Sequence, residues 1–210
     1  MADLNMLAEA VIDGNADSAK ELTEKYLVQG ISPENILNEG LVAGMNKVGE
    51  YFKANEFYVP EVLIAARAMQ SAMDILKPKL VETGAESAGV VAIGTVKGDR
   101  HDIGKNLVAM MLQGSGFEIM DLGVDAKPEK FARAIKDGAQ IIGMSALLTT
   151  TMPNMKKIID YLTSEGLRDK VKIIVGGAPV TEAFANEIGA DAYADDAADA
   201  AAKAKELLAK

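Results

Sequence analysis

The sequence contains no cysteine, and His101 is its single histidine among 210 residues. The lack of cysteine excludes disulfides, thiolate catalysis and iron–sulfur clusters, and one histidine is a poor ligand set for a protein zinc site. Metal chemistry is therefore expected to enter inside a cofactor. No apolar run is long enough to cross a membrane, and the start MADLNMLAEA lacks the pattern of a signal peptide. The sequence predicts a soluble, cytoplasmic protein without a membrane partner.

Basic residues are also scarce. The sequence has 22 Lys and Arg but 31 Asp and Glu, so its net charge is -9. A nucleic-acid-binding protein usually carries a basic surface, so nucleic acid is not an expected partner. Small ligands or other proteins are favoured instead. A hydrophobic content of 49% is enough to form a core, and the length suits one medium domain with a smaller module.

The first part of the chain, up to about Leu80, has apolar residues at helical spacing and no strand-like alternation. It predicts a bundle of four helices within a helical domain of residues 1–84. Ser32 is expected to cap the third helix, with Pro33 at its first position. The predicted helices cover about 5–12, 16–29, 33–52 and 60–76. The apolar face of the fourth helix is predicted to include Val62, Leu63, Ala66, Met69, Met73 and Leu76.

The pattern changes after a predicted linker at 81–87, and residues 85–210 form the second expected domain. Short apolar runs rich in β-branched residues alternate there with helical segments, which is typical of a parallel sheet covered on both faces. The order 2-1-3-4-5 of flavodoxin-like folds fits, and ligands of such folds bind at the carboxyl ends of the strands. The five predicted strands are 89–96, 117–123, 139–147, 171–179 and 190–194.

His101 lies in the loop after the first predicted strand, two residues beyond Asp99. An imidazole can bind a metal through one nitrogen while a carboxylate holds the other, and Asp99 is placed to be that carboxylate. Gly98 and Gly104 favour unusual backbone angles and the close approach of a bulky ligand. The same spacing also fits an exposed loop histidine beside acidic residues, so the residues alone leave both interpretations open.

The segment from Thr95 to Asn106 resembles the D-x-H-x-x-G signature of the cobalamin-binding domains of methionine synthase and of the corrinoid proteins of methyltransferase systems. Met144–Leu147 is similar to the S-x-L element of that family, and Val175–Ala178 is similar to its G-G element. Each element lies at the end of an expected strand. The helical half adds Phe52 and the segment 58–62, which look like the family's cap over the upper corrin face.

The resemblance implies that His101 is the lower axial ligand of cobalt in a cobalamin or related corrinoid, including methylcobalamin. It makes Asp99 the partner of His101 and Thr151 the third member of the relay, although Thr151 also suits the cap of a helix near Pro153. Phe52, Val59 and Val62 would shield the methyl group, or would be ordinary bundle-core residues. The implied cofactor contacts in the second domain are Gly98, Asp99, Arg100, His101, Asp102, Ile103, Gly104, Ser145, Leu147, Thr149, Gly176 and Gly177.

The implied function is that of a methyl carrier in one-carbon metabolism, which is a component of a methyltransferase system rather than a complete enzyme. Its cobalt would accept a methyl group from a substrate-specific methyltransferase and pass it to a second methyltransferase, with a reductive activase as a further partner. Methanol, methylamines, betaines and methoxylated aromatics are all open as donors. The alternatives are a cobalamin-dependent regulator and a small subunit of an adenosylcobalamin mutase. A flavodoxin-like or receiver-like domain without a corrinoid is the remaining interpretation.

Overall fold

The structure is a computed structural model that describes residues 4–83 and 87–209. The chain divides into two compact units, residues 1–87 with 113–116 and residues 88–112 with 117–210. The predicted domain boundary between residues 84 and 85 lies outside the described residues, as does the middle of the predicted linker. Within the two described ranges, every helix is too short or too polar to cross a membrane.

The first unit is helical, and its core is formed by apolar side chains at helical spacing, among them Leu7, Ile36, Leu41, Val48 and Leu76. The predicted N-cap is confirmed, since the Ser32 hydroxyl accepts a hydrogen bond from the Asn35 N–H and Pro33 follows it. The helices are α1 (Asn5–Ile12), α2 (Ala16–Val28), α3 (Pro33–Asn35), a π-helical segment (Ile36–Val42), α4 (Ala43–Lys53) and α5 (Val59–Thr83).

Three details of the helical unit differ from the sequence-based prediction. The third helix is interrupted by the π-helical segment Ile36–Val42. Helix α5 does not end near Leu76 but continues through Pro78 to Thr83, so the first residues of the predicted linker are helical. Leu63 was expected on the buried face, yet it is 39% exposed. It follows Val62 by one position, which rotates its side chain by about 100° away from the buried stripe.

The second unit is a five-stranded parallel sheet with the order β2-β1-β3-β4-β5, as predicted. Its central strands are nearly continuous apolar runs because helices cover both faces. The strands are β1 (Val90–Thr95), β2 (Glu118–Asp121), β3 (Ile141–Ser145), β4 (Lys172–Gly176) and β5 (Ala192–Ala194). The helices are α6 (Ile103–Gly114), α7 (Pro128–Lys136), α8 (Pro153–Ser164), a short 3-10 turn (Arg168–Lys170), α9 (Glu182–Ile188) and α10 (Ala197–Leu208).

The sheet brings the carboxyl ends of β1, β3 and β4 to one edge. Thr95 pairs in register with Ser145, and Ser145 pairs with Gly176. The loops that carry the three predicted motif elements therefore leave the sheet side by side. This is the edge at which parallel sheets of this order bind ligands.

Candidate functional site

Asp99 is the centre of the loop between β1 and α6, and its side chain is fully buried. Its Oδ1 accepts hydrogen bonds from the backbone N–H of His101 at 3.1 Å and from the His101 ring at 2.7 Å. Its Oδ2 accepts from the backbone N–H groups of Leu147 (2.8 Å) and Leu148 (3.2 Å) and from the Thr151 hydroxyl (2.8 Å). One carboxylate thus joins the loops after β1 and β3.

These hydrogen bonds determine the charge of Asp99. Burial by itself would raise the pKa of the carboxyl group, because it disfavours the charged form. The hydrogen bonds from the His101 ring, from the backbone of Leu147 and His101, and from Thr151 outweigh burial and hold the pKa of Asp99 well below its ordinary value. Asp99 is therefore a carboxylate at neutral pH.

His101 is held through only one of its ring nitrogens. Because ionised Asp99 can only accept, Nδ1 of His101 carries the hydrogen in the 2.7 Å contact. Nε2 is then the nitrogen with a free lone pair, and it has no hydrogen-bond partner within the described part of the chain. The side chain is 52% exposed. The arrangement matches a metal-binding histidine whose tautomer is fixed by a carboxylate.

Thr151 belongs to the same network, as the resemblance implied. Its hydroxyl lies 2.8 Å from Asp99 Oδ2 and 2.9 Å from the Leu148 carbonyl oxygen. The charged carboxylate is the stronger acceptor for the single hydroxyl hydrogen. The alternative role for Thr151 as the cap of α8 is wrong, because the residue at that position is Met152 and the helix has no side-chain cap.

Ser145, Gly176 and Gly177 lie together at the ends of β3 and β4. The backbone is tightly packed at Gly177, where an added Cβ would lie 2.0 Å from the Ala146 carbonyl oxygen and φ is +123°. At Gly176 an added Cβ would lie 2.9 Å from the Ala194 carbonyl oxygen. Close packing against the backbone of this chain therefore explains why both positions are glycine. Leu147 and Thr149, which follow Ser145, are exposed.

The remaining predicted contacts of the first loop are at the surface. Gly98, Arg100, Asp102, Ile103 and Gly104 are all exposed, and Ile103 is 77% exposed. Gly98 has a φ of +85°, as expected for a glycine in this turn. Gly104 does not need an unusual backbone angle, because it lies within α6, but an added Cβ there would meet nothing within 4 Å.

The three predicted cap residues lie in the helical unit. Phe52 is near the end of α4, and Val59 and Val62 are in the first turn of α5. Phe52 and Val59 are half-buried, and Val62 is buried. Tyr58, just before α5, is exposed, and its backbone N–H donates to the Glu61 carboxylate at 2.9 Å.

Comparison with known proteins identifies the family. Residues 89–203 and residues 3–77 each match a family described as B12 binding domain. The chain is 46% identical to dimethylamine corrinoid protein 1 of Methanosarcina acetivorans over 98% of its own length and 97% of that protein. The chain belongs to the B12-binding corrinoid proteins of methyltransferase systems. Its cofactor is accordingly a corrinoid of the cobalamin type.

Solved structures agree with this family. A cobalamin-binding protein from Desulfitobacterium hafniense superposes with a TM-score of 0.81 at 34% identity and covers 99% of both chains. A methanol:cobalamin methyltransferase complex from Methanosarcina barkeri gives a TM-score of 0.85 at 28% identity over 98% of this chain and 79% of that chain. The chain thus has a fold that is also found in a methyltransferase assembly.

The loop that carries His101 and the neighbouring β3 loop expose apolar side chains. Three large apolar side chains are exposed at the ligand edge of the sheet, Ile103 at 77%, Leu147 at 43% and Leu148 at 40%. Exposed apolar groups in such a cluster are typical of a surface that a ligand covers. Nε2 of His101 supplies a metal-binding atom beside them, and open space next to Gly104 leaves room for a bulky group.

Several residues that hold the loop were not predicted as site residues. The Thr95 hydroxyl donates to the His101 carbonyl oxygen at 2.8 Å, and Asp125 accepts from the Gly98 N–H at 2.7 Å. Asn154 donates to the Lys97 carbonyl oxygen at 2.7 Å. Lys105 is almost fully buried and binds Asp121 at 2.7 Å. Thr95 and Lys105 were part of the quoted segment, but no sequence signal links Lys105 to Asp121, Asp125 to Gly98 or Asn154 to Lys97, because these pairs join distant positions.

Proposed function

We propose that this corrinoid protein is a methyl carrier that accepts a methyl group from a substrate-specific methyltransferase and passes it to a second methyltransferase. The observation that carries the proposal is the pairing of His101 with ionised Asp99, which leaves Nε2 free to bind cobalt. The bound corrinoid supplies the methyl-carrying metal centre, and the protein supplies its axial ligand and its surroundings.

His101, Asp99 and Thr151 have distinct roles in this proposal. Nε2 of His101 would hold the cobalt, and Asp99 keeps the ring in the required tautomer. Thr151 and the two backbone N–H groups of the β3 loop hold the carboxylate.

The other predicted residues are proposed to hold and shield the cofactor. Ser145, Leu147, Thr149, Gly176 and Gly177 would line the site of its nucleotide tail, and the residues from Gly98 to Gly104 would border the corrin near His101. Phe52, Val59 and Val62 would cover the upper face. The supporting observations are the shared edge of the sheet for the first set and the match of residues 3–77 to a B12 binding domain for the cap.

The methyl donor is proposed to be selected by the partner enzyme rather than by this chain. One relative is named for dimethylamine, and one structural neighbour is part of a methanol enzyme, yet both match almost the whole chain. Similar carriers therefore serve different donors. A second methyltransferase and a reductive activase complete the proposed set of partners.

A methyl-transfer assay tests the proposal. The cobalamin-loaded protein is reduced to cobalt(I) and mixed in turn with methanol, methylamine, betaine and methoxyarene methyltransferases and their substrates. We expect one methyltransferase and its substrate to remove the cobalt(I) absorbance of the wild type. We expect His101→Ala to reduce the yield of methyl transfer to the second methyltransferase. A protein that binds cobalamin but turns over with none of these enzymes would contradict the carrier role.

A further inference from the structure

The loop that carries His101 is held through its backbone by side chains outside the D-x-H-x-x-G motif. Thr95, at the end of β1, is fully buried, and its hydroxyl donates to the carbonyl oxygen of His101 at 2.8 Å. Thr95 thus holds the backbone of His101, the residue whose ring is proposed to bind the metal. A buried hydroxyl bound in this way restricts the local backbone to one conformation.

Asp125 holds the other end of the same turn. Its Oδ1 accepts from the Gly98 N–H at 2.7 Å, and its own N–H donates to the Asp99 carbonyl oxygen at 2.9 Å. Asp125 has a φ of +51°, which is unusual for a residue with a side chain. The neighbouring Ala126 pairs with Val96, so this β2 loop is anchored to β1.

We propose that Thr95 and Asp125 are positioning residues that set the strength of the bond between His101 and cobalt. The inference rests on the proposed assignment of His101 as the axial ligand. Both residues act on the backbone on either side of Asp99, so together they restrict the direction of the His101 side chain. If either contact is lost, the loop occupies more conformations. His101 then binds cobalt in proportion to the fraction of molecules whose loop has the binding-competent conformation.

The size of the effect follows from one hydrogen bond. The loss of one hydrogen bond changes the equilibrium between the loop conformations about fivefold. Thr95→Val should therefore weaken the coordination of cobalt(II) by His101 by about that factor. Cobalt(I) has no axial histidine, so the cobalt(II)/cobalt(I) midpoint potential should become less negative. At about 59 mV per tenfold change for one electron, the expected shift is about 40 mV.

The test measures this potential, together with the nitrogen hyperfine splitting of cobalt(II), for the protein loaded with cobalamin. Thr95→Val removes the hydroxyl but keeps the volume, and Thr95→Ser restores the hydroxyl. Thr23→Val is a matched control, because Thr23 is also fully buried and donates to a backbone carbonyl, that of Ala19. We expect a shift for Thr95→Val, and potentials close to wild type for Thr95→Ser and Thr23→Val.

Asp125 provides a second pair of variants on an exposed residue, which keeps the test valid if Thr95→Val does not fold. Asp125→Gly removes the acceptor and tolerates the positive φ, and Asp125→Asn removes the charge but keeps an acceptor oxygen. We expect a shift in the same direction for Asp125→Gly and little change for Asp125→Asn.

Three results would overturn the inference, and they can be told apart. If Thr95→Val and Asp125→Gly keep the wild-type potential and splitting while His101→Ala loses the splitting, His101 remains the ligand and the positioning role is wrong. If the wild type itself shows no splitting from His101, the axial assignment fails and the inference fails with it. A Thr95→Ser shift as large as that of Thr95→Val would also exclude the hydroxyl as the cause.

Discussion

The loops that follow β1 and β4 leave the same edge of the sheet, yet different interactions hold them in place. The β1 loop is fixed by side-chain hydrogen bonds, five of which end on Asp99. The β4 loop is fixed by close backbone packing, because Gly177 leaves no space for a Cβ beside Ala146. At the same edge of the sheet, one loop is therefore held by hydrogen bonds that orient His101, and its neighbour is held by backbone packing that requires glycine.

The largest effect is expected in the β4 loop, from Gly177→Ala. The new Cβ would lie 2.0 Å from the Ala146 carbonyl oxygen, at a φ of +123°. Backbone strain and the clash together should lower the free energy of unfolding by about 3 kcal/mol or more. Gly138→Ala is the matched control, because Gly138 has a φ of +109° but nothing within 4 Å.

Urea unfolding of the purified variants checks this prediction. Gly138→Ala should cost about 1 to 2 kcal/mol from strain alone, so the difference between the two variants measures the clash. Equal losses for both variants would show that the packing against Ala146 does not hold the β4 loop.

A smaller effect is expected in the β1 loop, from Asp99→Asn. The amide cannot accept all five hydrogen bonds, and the loss of the charge should lower the free energy of unfolding by about 2 kcal/mol at neutral pH. Asp125→Asn, at an exposed position of the neighbouring β2 loop, should change the free energy of unfolding by less than about 0.5 kcal/mol.

The pH dependence of this loss has a definite sign. The pKa of Asp99 is lowered by folding, so its contribution to stability is present above the unfolded pKa of about 4 and is lost as the pH falls toward the folded value. Urea unfolding between pH 7 and pH 3 should therefore show a constant gap between wild type and Asp99→Asn that narrows only below about pH 4. A gap that narrows already near pH 6 would contradict the lowered pKa.

The smallest effect on stability is expected for Ile103→Ser, beside the β1 loop. Because Ile103 is 77% exposed, the free energy of unfolding should change by less than about 0.5 kcal/mol. Cobalamin binding should nevertheless weaken about tenfold, since covering this side chain contributes about 1.5 kcal/mol. Val28→Ser, at an 89% exposed position of the helical unit, is the control. Absorbance titration with cobalamin should show unchanged affinity for it, and an equal loss in both variants would remove Ile103 from the site.

Much of this architecture was predictable because its signals are local. The order of the sheet follows from apolar strands separated by helices, and the Ser32-Pro33 pair correctly placed the start of α3. The end of α5 was not predictable, since Pro78 normally favours termination and yet lies inside the helix. The π-helical segment at Ile36–Val42 likewise has no sequence signal that we recognise.

The contacts of the site were likewise predictable where they are local in the sequence. His101 and Asp99 are two residues apart, so their pairing was visible in the sequence, and the family motif added Thr151. The contact between Asp125 and Gly98 spans 27 positions, and Asn154 meets Lys97 across 57. Only the parallel sheet brings such residues together, which is why Asp125 and Asn154 could not be found from spacing.

The most direct test of the whole account is the source of the axial nitrogen on cobalt(II). Because His101 is the only histidine in the sequence, labelling histidine with nitrogen-15 labels one imidazole. Electron paramagnetic resonance of the cobalamin-loaded wild type should then show its nitrogen splitting change from a triplet to a doublet, and His101→Ala should lose that splitting. A triplet that persists in the labelled protein would mean that the cofactor's own base binds the cobalt, and it would contradict His101 as the ligand.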